Sequence, residues 1–169
     1  MSRLQQMVWL VLVAGGCVGC DQVSKIYCRE KLEHRGVFSF WYDTVRLQYA
    51  ENTGAFLGGG NKLSPWVFIA IGLILVAGML WYLLFKSKRD VLTTVVISLL
   101  VGGAVGNLID RAVFGYVRDF ANLGIGSLRT GIFNVADVAI TVGVGILFIV
   151  GMRSGDAPAS DRDAKPSQA

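Results

Sequence analysis

Phe133-Asn134-Val135-Ala136-Asp137 stands at the head of the last apolar segment of the chain, and an uncharged run over residues 138–152 follows it. That run is either a membrane helix or a buried core, so this stretch decides the fold. A carboxylate in the outer third of a bilayer helix costs a few kcal/mol and marks a functional site by default. Helical rise places Asp137 one and a half turns in, about 10 Å below the start of the segment.

Composition points to lipid. Charged residues make up 17% of the 169 positions and hydrophobic ones 53%, whereas soluble domains carry about 25% charged residues. Three further uncharged runs cover residues 4–20, 63–85 and 91–109. They approach or exceed the roughly 17–25 residues that a spanning helix needs. The expected fold is a membrane all-α one, a four-helix transmembrane bundle. Its spans fall near residues 5–26, 64–85, 91–111 and 132–152 of one domain, residues 1–152. The polar tail, residues 153–169, is expected to be disordered.

The net charge of +4 is more informative by position than by sum. Lys86-Ser87-Lys88-Arg89-Asp90 packs basic residues between the second and third runs, Arg3 precedes the first and Arg153 follows the last. The positive-inside rule makes these ends cytoplasmic, with residues 29–62 and 111–129 outside. Arg3, an apolar run and Ala14-Gly15-Gly16-Cys17 resemble a secretory signal with a lipoprotein-type cysteine. The expected reading is instead a retained first span, because three more follow and Asp21 and Lys25 continue it as an i,i+4 acid–base pair. Cys17 and Cys20 have CxxC spacing inside an apolar helix without a nearby histidine, so they read as small buried residues.

From Gly36 the period changes. Val45, Leu47 and Tyr49 alternate with Arg46 and Gln48, and Phe38 and Phe40 flank Ser39. Residues 37–50 therefore read as an amphipathic hairpin or small sheet turning at Asp43-Thr44. Its aromatic residues suit a bilayer interface. Asn52-Thr53-Gly54 and the glycine run Gly58-Gly59-Gly60 follow as loop, and the second apolar run reads as scaffold. In the third run Gly102-Gly103-Ala104-Val105-Gly106 has the small-xxx-small spacing that lets helices approach in lipid. Asn107, Asp110 and Arg111 share one face at its end, and residues 114–120 read as a short extended piece.

Antiparallel threading brings these polar residues together. Asp21, Lys25, Asn52, Asn107, Asp110, Arg111, Asn134 and Asp137 all fall at the outer end, and the inner halves read as apolar. An ion pathway needs polar residues along its whole length. A metal site wants more than His34, the one histidine. Paired aspartates activating water need two carboxylates sharing a proton, which burial favours. Capping and ion pairing within Asp21–Lys25 and Asp110–Arg111 is the structural alternative. Periodicity alone favours Asp110 as the partner of Asp137.

Five blocks carry a resemblance: Asp21-Gln22-Val23-Ser24-Lys25, Asn52-Thr53-Gly54-Ala55-Phe56, Gly106-Asn107-Leu108-Ile109-Asp110-Arg111, Val117-Arg118-Asp119-Phe120 and Phe133-Asn134-Val135-Ala136-Asp137. In this order the chain resembles the lipoprotein signal peptidases, signal peptidase II. The resemblance implies a four-helix aspartyl protease of the bacterial inner membrane, with cytoplasmic termini and a small periplasmic β-hairpin or sheet near residues 36–56; a monomer is the expected state. It implies an active site facing the periplasm, cleavage of diacylglyceryl-prolipoproteins before the lipidated cysteine, and contact with membrane lipids. Neither a metal, another cofactor nor a nucleic acid is implied. It maps the catalytic pair onto Asp119 and Asp137, in place of Asp110. Asp21, Lys25, Asn52, Gly54, Asn107, Asp110, Arg111, Asn134 and Ala136 become residues that line or support the site, with Arg111 bracing a loop that carries Asp119. Cys20 and the glycine run depart from the pattern. A non-enzymatic transporter or assembly factor with a polar binding cluster is the alternative class, and a lipoprotein anchored through Cys17 a third.

Overall fold

The computed structural model describes residues 1–54, 63–87 and 90–155, with side chains through residue 152. Its helices are α1 (Arg3–Leu32), α2 (Pro65–Trp81), α3 (Val91–Phe114) and α4 (Val135–Gly155). All four are long and apolar enough to cross a membrane, α2 together with a π-helical turn over Tyr82–Lys86. Local chemistry sets their starts. Ser2 opens α1 in a capping box with Gln5, Ser64 caps α2 ahead of Pro65, and the Asp90 carboxylate accepts from Thr93 N at 2.8 Å. Each cap satisfies N–H groups that a first turn leaves unpaired. Helix α3 stops at Gly115, whose φ of 82° is the left-handed cap typical of glycine.

Helix α3 packs against α1, α2 and α4. The small residues foreseen in the sequence make that possible. A β-carbon at Gly102 would lie 2.8 Å from the Cys17 β-carbon on α1, and one at Gly103 would lie 2.5 Å from the Ala136 carbonyl oxygen on α4. Cys17 thus packs as a small residue on α3, and all three cysteines are free.

The strands β1 (Phe38–Phe40), β2 (Val45–Asn52), β3 (Val117–Ile125) and β4 (Leu128–Arg129) form an antiparallel sheet in that order. The expected hairpin is β1–β2, but its turn is wider than Asp43-Thr44. Trp41, Tyr42 and Asp43 have φ of 49°, 52° and 67°, a conformation costing an L-residue roughly 1–2 kcal/mol. Asp43 holds it. Its carboxylate accepts from Ser39 Oγ at 2.6 Å and from Arg46, and its carbonyl accepts from Arg129 NH1 at 2.7 Å. Hydrogen bonds from Arg46 and then Ser39 keep that carboxyl well below the usual carboxylate range.

Several boundaries differ from expectation. Helix α1 continues to Leu32. Helix α3 absorbs Phe114, so the extended piece begins at Val117, and it runs on to Ile125 as the partner of β2. Helix α4 begins at Val135 because the sheet claims Phe133: its carbonyl accepts from Phe120 N and Ala121 N at 3.1 and 2.9 Å. Asp137 therefore sits in the first turn of α4, not one and a half turns in. The inner ends also contain polar groups the sequence reading passed over. Gln6 is buried, donating to Leu83 O in the π-helical turn at 3.1 Å, and Thr94 and Ser98 are buried, donating to the backbone of α3's own first turns. The glycine run 58–60, Lys88, Arg89 and residues 156–169 lie outside the described residues.

Gly103→Ala should lower the thermal midpoint in detergent, by the equivalent of about 1–3 kcal/mol for an overpacked contact. Gly145→Ala is the control: nothing lies within 4 Å of a β-carbon there, so the midpoint should hold or rise slightly through helix propensity. Equal behaviour of the two variants would contradict the close α3–α4 approach.

Candidate active site

Asn134 organises the site. Its side-chain oxygen accepts from Asp137 N at 3.0 Å while its own N–H donates to Asp137 Oδ2 at 3.2 Å. This reciprocal pair caps α4 in the manner of a capping box. Its amide nitrogen then donates to Asp119 Oδ1 at 2.6 Å and to Asn107 Oδ1 at 3.2 Å. One side chain thus touches both aspartates. Asp119 Oδ2 accepts from Asn52 Nδ2 at 2.9 Å, and Asp137 Oδ1 accepts from Asn107 Nδ2 at 2.9 Å. Asp119 is buried and Asp137 half-buried.

Beneath this pair lies a charged layer. Lys25 Nζ meets Asp21 Oδ2 at 2.7 Å, Asp110 Oδ2 at 3.3 Å and Asn107 Oδ1 at 2.9 Å, with Lys25, Asp21 and Asp110 all fully buried. Asp21 Oδ1 also accepts from Ala136 N at 2.9 Å. Ala136 must stay small, because α1, α3 and α4 meet there: a β-carbon on Gly106 would lie 2.6 Å from Asp21 Oδ2 and 3.4 Å from the Ala136 methyl. Arg118 closes the layer. Its N and Nε donate to Asp110 Oδ2 at 2.9 and 3.2 Å, and its NH2 donates to Asp110 Oδ1 at 2.7 Å and Gln22 Oε1 at 2.8 Å. Gln22 Nε2 returns to Asp110 Oδ1 at 3.1 Å.

All eleven expected residues therefore converge, with one change of element and two of partner. Asp119 lies in strand β3, not in a loop. Asp110 pairs with Lys25 and Arg118, while Arg111 donates to Gly54 O at 2.8 Å and stacks 5.2 Å from the Phe68 ring centre. The strand next to Asp119 is braced by Arg118, not Arg111. Gln22 and Arg118 were missed as site residues. Gln22 follows Asp21 directly, and strand alternation sends Arg118 to the face opposite Asp119, so neither falls in the pattern that located the others.

Two cavities meet at Asp137. One, about 650 Å³, lies between α2, α3 and α4 and includes Asn52, Phe68, Asn107, Arg111 and Ile140. The other, about 430 Å³ and nearly all apolar, lies between residues 130–133 and the Val138–Val142 flank of α4. Burial pushes the Asp119 carboxyl up to about 6, opposed by the Asn52 hydrogen bond and aided by the Asp137 charge.

A solved structure described as a bacterial membrane enzyme matches with a TM-score of 0.81 and 27% identity over 94% of both chains. Four spans with polar side chains converging at one end thus place the protein among multi-pass membrane enzymes. The family model for signal peptidase (SPase) II matches residues 7–153, and the chain belongs to that family of proteases. Proteins called lipoprotein signal peptidase are similar to it. The one from Symbiobacterium thermophilum is 37% identical over 82% of this chain and 91% of its own. The one from Sphingopyxis alaskensis is 40% identical over 87% and 86%.

Arg118→Met leaves Asp110 with one cation fewer in a buried setting, a change that costs about 3–5 kcal/mol for broken buried pairs. A marked fall in thermal midpoint is expected, and a midpoint within error of wild type would contradict the brace. For Asp119 the sign of the pH effect follows from its raised pKa. Its contribution to stability is full below the unfolded value of about 3.9 and is lost as pH rises through about 6. The midpoint of Asp119→Asn relative to wild type should therefore climb between about pH 4 and pH 7 and level off above that.

Proposed function

We propose that the chain is an aspartyl endopeptidase that removes the signal peptide from diacylglyceryl-modified prolipoproteins, cutting before the lipidated cysteine. The observation that carries this reading is Asn134, whose side-chain amide donates to the Asp119 carboxylate and whose backbone N–H donates to the Asp137 carboxylate. Charge balance supports it. Asp21 and Asp110 are matched by Lys25 and Arg118 in the buried layer. Arg111, half-buried beside the pair, then offsets one more negative charge. A poorly hydrated site is neutral when Asp119 and Asp137 carry one proton between them, the state an aspartyl mechanism requires.

In that mechanism the ionised member of the pair takes a proton from a water lying between the carboxylates. The water oxygen attacks the scissile carbonyl carbon, while the protonated member donates to the carbonyl oxygen. The tetrahedral intermediate collapses as the cysteine nitrogen leaves with a proton. The products are a new carboxylate on the signal peptide and a free α-amine on the lipidated cysteine. The pair titrates as a unit. Asn52, Asn107 and Asn134 hold the carboxylates, and Arg111 ties Gly54 to the rim. The larger cavity receives the lipid-bearing substrate from the bilayer, where each buried CH₂ contributes about 0.8 kcal/mol. The enzyme acts as a monomeric unit, residues 1–152, in the bacterial inner membrane. Its termini are cytoplasmic and its site faces the periplasm, as the basic inner link and tail favour.

Asp119→Asn and Asp137→Asn should each lower processing of a diacylglyceryl-prolipoprotein, followed by gel shift, by at least about 10²–10⁴-fold. Both variants should remain membrane-inserted. Turnover at the wild-type rate in either would sink the dyad. Treatment with a metal chelator should leave the rate unchanged, and inhibition would return a metal mechanism to consideration.

A further inference from the structure

The distal end of the sheet has no part in the proposed chemistry, yet it is built with care. Trp41 and Tyr42, held left-handed by the Asp43 clamp, are 78% and 106% exposed. The neighbouring β3–β4 turn presents Ile125 and Leu128, 78% and 83% exposed. The two turns are tied together: Gly124 N donates to Thr44 O at 2.9 Å, and Arg129 NH1 donates to Asp43 O at 2.7 Å. Phe38 and Phe40 on the adjoining strand β1 are 39% and 47% exposed. Large side chains are thus gathered at one end, where burial against the protein is not available to them.

The linker after β4 indicates where that end lies. Residues Thr130, Gly131, Ile132 and Phe133 wall a cavity whose other wall is Val138, Thr141 and Val142. Val138 and Val142 are exposed on α4, hence lipid-facing in a spanning helix. Thr141 and Val142 lie one turn or more deeper than Asp137. A sheet standing straight off the bundle would carry Thr130 away from them. Instead the linker overhangs the flank of α4, so the sheet leans sideways over lipid.

We propose that Trp41, Tyr42, Ile125 and Leu128 form an interfacial anchor that inserts into the headgroup and glycerol zone of the leaflet nearest the site. Trp and Tyr favour that zone because ring and polar tip are accommodated together. Ile125 and Leu128 add apolar area beside them. The occupant is the bilayer that the helices already span. The anchor fixes the far end of β3, the strand that carries Asp119.

The test uses full-length protein in vesicles of phosphatidylcholine and phosphatidylglycerol. Trp9→Phe, Trp66→Phe and Trp81→Phe together leave Trp41 as the sole tryptophan of the four. Its emission should be blue-shifted, quenched more by a nitroxide near the lipid glycerol than by one at the acyl-chain end, and little affected by iodide on either side. Free quenching by iodide with no nitroxide effect would place the tip in water and overturn the proposal. Shielding from both quenchers would indicate a protein partner and overturn it equally. Should the triple variant fail to fold, the difference in quenching between wild type and Trp41→Phe reads the same position. Tyr42→Cys carrying an environment-sensitive label gives a second, independent measure at the tip.

Discussion

Four carboxylates can sit among apolar helix ends only if each is met by donors, and that requirement shapes the molecule around its site. Asp21, Asp110, Asp119 and Asp137 come from α1, α3, β3 and α4, and apart from the Asp21–Lys25 pair within α1 their charged partners come from other elements. Lys25 serves two of them, Arg118 serves Asp110 with three donors, and Asn134 serves the remaining two. Since an uncompensated buried charge is costly, the helices have little freedom to separate at this end. The glycines of α3 follow from the same demand, as Asp21 and Ala136 need the space that a side chain at Gly106 would fill.

The sheet completes what the helices cannot. Strand β3 is buried on both faces from Val117 to Phe120, with Arg118 turned to the charged layer and Asp119 to the asparagines. Two adjacent residues of opposite charge are each satisfied because alternation sends them to different partners. The bridge from Ala121 to Phe133 links that strand to the start of α4, so Asp119 and Asp137 are joined through backbone as well as through Asn134.

Much of this was legible in the sequence because it rests on long, uniform signals. Uncharged runs announce spanning helices, and antiparallel threading then forces Asp21, Asn107 and Asp137 to one end. The β1–β2 hairpin showed itself through strict alternation from Val45 to Tyr49. The pairing of β2 with β3 did not, because Val117-Arg118-Asp119-Phe120 does not alternate in polarity and its partner lies far away in sequence. Helical spacing alone pointed to Asp110 rather than Asp119, since spacing reports a shared face and not which partner consumes the charge. Gln6 escaped notice for a related reason: it answers a carbonyl of the π-helical turn near Leu83, and nothing local signals that turn.

Helix α2 has no fully buried residue and packs on α3, with Gly72 admitting Leu108 at the contact. Most of its circumference is wetted by hydrocarbon rather than by protein. Its rest position is thus set jointly by α3, by the Gln6 bond from α1 to its π-helical end, and by the lateral pressure and chain length of the surrounding amphiphile. The width of the larger cavity is accordingly a property of protein and solvent together, and micelle and bilayer constitute different reaction vessels for the same polypeptide.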